Sequence, residues 1–353
     1  MIKQYTTINL IKRILSEFRY PQTKLMRGFR EILFSNYKTK LHEGTKNINF
    51  IYDLNHESPT FDFAYAALQI DKYSEKNNLT FRVIFIKRKR KDYKKWYPLS
   101  VLQLNKRIKD MLIPLSDSFR NCYETVVLDD LNEIKKYKRD IFFSYNFSKR
   151  ISYFCYKILF QYVKKSNEYK GIKVENLFLE NIKKDIFNLC DPLDINKIIT
   201  ITLRSYDFEK ERDSDLDFWY EVAEYYRKLS YQVFIIPDSD NIDDKNHRKK
   251  FFEFIFLNEC SKIMNNRIAI YEIAKLNFFP HSGTAAAAQL NKKSSSITHL
   301  KTNPNINNLT ATYFNEMGQT VGKSYDFLTK SHIIYWNGDV RGIIEEANKL
   351  INS

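Results

Sequence analysis

The chain has 353 residues, 43% of them hydrophobic and 28% charged, a globular composition of about two domains that excludes a mainly disordered chain. With only 8 Gly and 8 Pro it is not collagen-like or linker-rich, and its four scattered cysteines (Cys122, Cys155, Cys190, Cys260), with no C-x-x-C pair, exclude a disulfide scaffold and a cysteine zinc site. The net charge is +15, and no apolar run reaches the roughly 18 residues a membrane span needs.

Residues 1–46 hold ten Lys/Arg against three Glu, and residues 87–95 hold seven basic residues against one Asp; the rest of the chain is nearly neutral. Such patches attract anionic lipid, nucleic acid or phosphorylated ligands. Ile8, Ile11, Ile14, Leu15 and Phe18 fall at helical spacing before Pro21, and Leu25, Phe29, Ile32 and Leu33 begin a second stripe. Residues 1–44 therefore read as a basic amphipathic helical segment, fit either for a membrane surface or for packing on the body. Lys3, Lys12 and Arg13 interrupt any signal-peptide core, so a cytoplasmic chain is expected, at the inner face of the membrane if the basic segments bind lipid.

A strand is expected at 48–54, a helix at 61–73, and a strong strand of β-branched and aromatic residues at 80–86. A helix begins at Ser100, and short strands follow at 124–128 and 141–145. Helices at 151–169 and 175–189 form a bridge. Further strands are expected at 197–203, 231–236, 278–279, 295–299 and 333–336. Ser214 is expected to cap a helix running to Leu229, and further helices are expected over 251–276 in two pieces, at 285–290 and at 340–351.

Alternating strands and helices predict parallel sheets covered on both faces. The expected fold class is α/β, with two Rossmann-like domains facing across a cleft. An N-terminal α/β domain spans 45–150, a helical bridge 151–190 and a C-terminal α/β domain 191–353. Ligands of open α/β sheets bind beyond the carboxyl ends of the strands.

Arg204 ends a buried strand, and guanidinium forks onto phosphate oxygens, so Arg204 and Arg212 suit a diphosphate; Arg204 could instead pair with Asp207 or Asp213 to hold its loop. His281-Ser282-Gly283-Thr284 lies between a short strand and a helix start. Backbone N–H groups and two hydroxyls there would face an anion, and Gly283 would let it approach. Asp213-Ser214-Asp215 and Asp238-Ser239-Asp240 match Asp-x-Asp, which can hold a divalent cation but is frequent by chance among 42 acidic residues. Asp53, His56, Glu57 and Asp62, near the end of the first strand, and His281 in the other half are side chains able to take a proton. No G-x-S-x-G, H-E-x-x-H, P-loop or G-x-G-x-x-G is present.

Residues 198–290 resemble the donor-binding half of GT-B glycosyltransferases. The stretch TLRSYD at 202–207 and FIIPD at 234–238 resemble the Arg-bearing donor motif of bacterial fucosyltransferase-like enzymes, and FFPHSGTA at 278–285 resembles the turn that holds the donor diphosphate. Together with YDL at 52–54, TFDF at 60–63, YE at 271–272 and GQ at 318–319, the chain is similar to bacterial proteins of surface-polysaccharide type. The resemblance implies a glycosyltransferase that needs no metal or other cofactor. It implies catalytic Asp53, His56 and Asp62. Nucleotide-sugar binding would fall to Arg204, Arg212, Asp238, Glu272, His281, Ser282, Gly283 and Thr284. The partners implied are a nucleotide-sugar donor and a glycan or lipid-linked acceptor, with peripheral contact to anionic membrane through 1–46 and 87–95. Two other readings stand beside it: a basic nucleic-acid-binding protein, with Tyr93, Trp96 and Tyr97 stacking bases, and a GT-B-shaped binding protein without turnover.

Overall fold

The computed structural model describes residues 44–54, 58–87, 99–129, 131–137, 171–189, 194–206, 210–306, 309–316, 319–325 and 328–353. The expected helices before residue 44, the strand at 141–145, the helix at 151–169, the candidate base His56 and the basic run beyond Lys87 lie outside them. The described residues belong to one unit, Glu43–Ser353.

The first part is a three-stranded parallel sheet in the order β1 (Asn47–Asp53), β2 (Thr80–Ile86), β3 (Cys122–Leu128). Helix α1 (Asp62–Asn77) joins the first two strands. Its left-handed C-cap is Asn78 at φ 54°, a residue type that tolerates that region. The link from β2 to β3 contains α2 (Val101–Arg107), a π-turn (Ile108–Leu112) and α3 (Ile113–Asp117). Ser100 starts α2 with a full capping box, reciprocated by Gln103. Helix α4 (Asn176–Leu189) follows and buries Ile182 and Ile186.

The second part contains β4 (Ile198–Thr202), α5 (Leu216–Lys228), β5 (Gln232–Ile236), α6 (Lys245–Lys250), β6 (Ile255–Phe256), α7 (Asn258–Lys262) and α8 (Met264–Ile273). After these come β7 (Leu276–Phe279), α9 (Ala285–Gln289), β8 (Ser296–Leu300), α10 (Ala311–Glu316), β9 (His332–Trp336) and α11 (Val340–Ile351). The strands form a six-stranded sheet in the order β6-β5-β4-β7-β8-β9, every pair parallel. Numbered from β4, this is the doubly wound order 3-2-1-4-5-6, which reverses between β4 and β7.

The period of two along β4 separates two kinds of core. Ile199, Ile201 and Leu203 join Trp219, Val222, Ala223 and Tyr226 of α5 and Ile343 and Ala347 of α11 in one apolar cluster. Thr200 and Thr202 are buried too, so each needs a partner. Thr200 Oγ1 donates to Asn277 Oδ1 at 2.6 Å, and Thr202 Oγ1 pairs with the Tyr271 hydroxyl at 2.9 Å.

Two expectations are corrected. The cap of α5 is Asp215, whose carboxylate accepts from Phe218 N; Ser214 is clipped to Arg204 instead. The apolar stretch 251–276 is not two helices alone. It opens with a turn and the short edge strand β6, because Ile255 and Phe256 pair with Phe234 and Ile235. No helix among the described residues is long and apolar enough to cross a membrane.

Candidate functional site

The reversal between β4 and β7 opens a crevice at their carboxyl ends, and the chain places there the residues that follow those strands. Arg204 comes two residues after β4 and is 6% exposed. Its backbone is fixed from both sides: Arg204 N donates to Ser214 Oγ at 2.8 Å, and Ser214 N donates to Arg204 O at 3.0 Å. Its guanidinium pairs with Asp213, which also accepts from Tyr206 N at 3.1 Å. Of the two uses foreseen for Arg204, loop-holding through Asp213 is present. Burial lifts the Asp213 carboxyl above its usual range against the pull of Arg204.

Arg212 crosses the reversal. Its Nε and Nη2 donate to the carbonyl of His281 at 3.3 and 3.2 Å, which joins the loop after β4 to the turn after β7. The His281 imidazole is held well below its ordinary pKa, first by burial and then by Arg212 and Arg204. It is therefore neutral at pH 7, and its enclosed Nδ1 has no hydrogen-bond partner among the described residues.

The turn itself differs from the seat expected. Ala285, Ala286 and Ala287 N–H groups bond back to the carbonyls of Ser282, Gly283 and Thr284, and Thr284 N donates to Ser282 Oγ. The two hydroxyls of Ser282 and Thr284 bond to each other. A five-residue helix whose first donors are spent inside the turn offers little to an anion. Gly283 is needed for a different approach from the one expected: a Cβ there would lie 3.0 Å from Cβ of Phe61, the residue before α1. The turn is thus packed against the N-terminal sheet's first loop.

That contact puts Asp62, exposed at the start of α1, beside the turn. Asp53 ends β1 and is 1% exposed, a carboxylate sealed in the sheet. Tyr65, one turn along α1, donates to Gln289 Oε1 at 2.7 Å, and the Tyr325 phenol lies near both Tyr65 and Arg212.

Asp238 follows β5 in the same crevice; burial raises its pKa, while Arg267 and Arg204 pull it down. The four carboxylates of the two Asp-x-Asp matches are engaged separately. Asp213 holds Arg204, Asp215 caps α5, Asp238 accepts from Asp240 N at 3.0 Å, and Asp240 pairs with Arg107. No group of three or more His, Cys, Asp or Glu among the described residues could hold a metal ion.

Glu272 does not join the site. It closes α8 just before β7 enters the sheet, so it stands at the opposite, amino end of the strands, where it binds Asn291 and Lys293 at 3.0 and 2.7 Å.

Arg107, Tyr206 and Tyr325 went unforeseen. Arg107 lies in a helix with an ordinary polar face, and its partner Asp240 is 133 residues away in sequence. Nothing local announces such a pair.

Two α/β units with parallel sheets, the second with a strand-order reversal between β4 and β7, have the GT-B fold. The chain is similar to the ADP-heptose LPS heptosyltransferase II of E. coli, with 9% identity, a TM-score of 0.51, and 87% of this chain aligned to 99% of that one. It is likewise similar to a family 9 glycosyl transferase from Veillonella parvula, with 9% identity, a TM-score of 0.56, and coverage of 87% and 97%. No protein-family model matches the sequence, and no curated protein matches it.

Proposed function

We propose that the protein is a glycosyltransferase of bacterial surface glycan synthesis, moving a sugar from a nucleotide-sugar donor to a glycan or lipid-linked glycan. The observation that carries this reading is the convergence at the β4/β7 switch point. Arg204, Arg212 and the 281–284 turn meet there, opposite Asp62 of the other α/β unit. The fold neighbours, a heptosyltransferase and a family 9 glycosyl transferase, support the class.

In this reading the donor diphosphate lies by the guanidinium groups of Arg212 and Arg204. The acceptor oxygen bonds to the anomeric carbon as the bond to the nucleoside diphosphate breaks. The electron pair leaves with the phosphate, whose growing charge the two arginines stabilise. Asp62 takes the acceptor proton, since it is exposed and beside the turn, whereas Asp53 is sealed. Neutral His281, Ser282, Thr284 and Asp238 line the donor side. The charge of 1–46 and 87–95 supports a place at an anionic membrane face, where lipid-linked acceptors lie.

The test is thermal shift against ADP, UDP, GDP and CMP and their sugars. One nucleotide family should raise the melting temperature of the wild type through binding to the native state. The rise should shrink at least tenfold in apparent affinity in Arg212→Ala. Absence of a shift with every nucleotide refutes the donor assignment.

A further inference from the structure

The pair between Arg107 and Asp240 has a geometry that bears on ligand binding. Arg107 belongs to α2 of the N-terminal unit, and Asp240 to the loop after β5 of the C-terminal unit, so the ion pair spans the crevice. The two partners are held unequally. Arg107 Nη1 also donates to the carbonyl of Pro59 at 3.2 Å, and its guanidinium lies over the Tyr206 ring, 5.4 Å from the centroid. The Asp240 carboxylate has Arg107 as its one hydrogen-bonding partner among the described residues. Exposure follows the same order: the Arg107 side chain is 14% exposed and that of Asp240 32%. The carboxylate is the partner that water reaches more.

The location is also that of the proposed donor site. Arg204 faces the same Tyr206 ring at 5.8 Å, so a single aromatic ring is shared by a guanidinium from each unit. A guanidinium that is fixed, largely desolvated and paired with a more exposed oxyanion is prepared for another oxyanion of the same bite.

We propose that Arg107 is a phosphate-binding residue supplied across the crevice by the N-terminal unit, and that the Asp240 carboxylate keeps its place until a phosphate-bearing ligand displaces it. The inference rests on the nucleotide-sugar reading for the identity of that ligand as the donor. Displacement transfers the fork of Arg107 from a carboxylate to a phosphate. It leaves the Pro59 and Tyr206 contacts in place and ties the two units together through the ligand rather than through the protein.

The experiment is a double-mutant cycle on Arg107 and Asp240, read by calorimetric titration with inorganic pyrophosphate and with the nucleoside diphosphate that binds best. Asp240→Asn should bind either ligand about 3- to 10-fold more tightly than wild type, because the competitor is weakened, and Arg107→Gln about tenfold more weakly. The decisive comparison is the double variant, which should bind like Arg107→Gln alone. Removing a negative charge from any crevice raises anion affinity through the general field, and that effect would persist without Arg107. Equal strengthening by Asp240→Asn in both backgrounds, or none in either, overturns the proposal. Arg107→Lys keeps the charge without the fork and should recover less than half of the lost binding free energy; it also covers the case in which Arg107→Gln folds poorly. Coupling seen with pyrophosphate but no binding of any nucleoside diphosphate would uphold the phosphate fork and remove the nucleotide donor. Nucleotide binding that depends on Arg212 with no coupling between Arg107 and Asp240 would do the reverse.

Discussion

The histidines show how burial at single residues sets a property of the whole protein. His299 is 5% exposed and stacks on Phe218 at 4.5 Å, its Nε2 without a hydrogen-bond partner among the described residues; His332 is 2% exposed and bonds through Nδ1 to Ser296. Burial pulls both down to about 4, with Lys301 adding to the effect at His299. The unfolded chain's imidazoles titrate near 6.5, so between that pH and 4 the unfolded state binds more protons. The contribution of each is whole above pH 6.5 and is lost as the pH falls towards 4. The fall amounts to about 3 kcal/mol per residue at 1.36 kcal/mol for each unit of pKa. Urea unfolding at pH 8, 6.5, 5 and 4 should show stability dropping only in the acid half. His299→Phe, which keeps the stack, should flatten the drop in part, the remainder staying with His332, His281 and His247. A slope unchanged by that substitution would place the acid sensitivity elsewhere.

At the scale of elements, the strands were legible wherever a sheet buries both faces. Residues 80–86 were read to the residue, because a run of TFRVIFI has no other stable use. Helix α11 matches the helix expected at 340–351, and the fold shows Asp339 as its cap. Ser100 was legible as a helix start because its capping box is written within four residues. Replacing Ser100 by Ala should cost about 1 kcal/mol, seen as a lower denaturation midpoint with an unchanged m-value. No loss would mean that the box forms without supporting α2. What failed was long-range. The edge strand β6 exists only because β5 offers free hydrogen-bonding groups, and no pattern in two residues can announce it. The site behaved in the same way. Arg204 and the 281–284 turn were visible from strand ends, while Asp213 as the partner of Arg204 was one of two options. Arg107 could not be found without the fold, and Glu272 was placed by family likeness that the topology sets at the wrong end of the strands. Gly283 is marked by the sequence as a position of close approach, and in the fold its open side meets Phe61.

At the scale of the molecule, the two sheets are joined by a short strap as well as by the crevice residues. Phe119, just after α3, bridges Ile172, and Lys173 N donates to Ser118 O at 2.9 Å, which fixes the strap to the N-terminal unit. Ile172 N donates to Leu290 O at 2.9 Å, just after α9, which fixes it to the C-terminal unit. Gly171 makes this crossing possible. Its φ is +70°, and a Cβ there would lie 2.2 Å from that same Leu290 oxygen. An alanine would meet a left-handed backbone and a backbone atom that cannot swing away. It could be accommodated only by breaking the Ile172 bond to Leu290. Gly171→Ala should therefore cost roughly 2–4 kcal/mol, from the left-handed penalty and overpacking together. Because Leu290 follows the helix that carries Gln289, the partner of Tyr65, loosening should spread along the seam to the 281–284 turn. Hydrogen exchange in Gly171→Ala should then rise at Ile172 and across α9 while β4 and β5 keep wild-type protection. Uniform acceleration across the six-stranded sheet would show instead that the strap supports global stability and does not govern the seam alone.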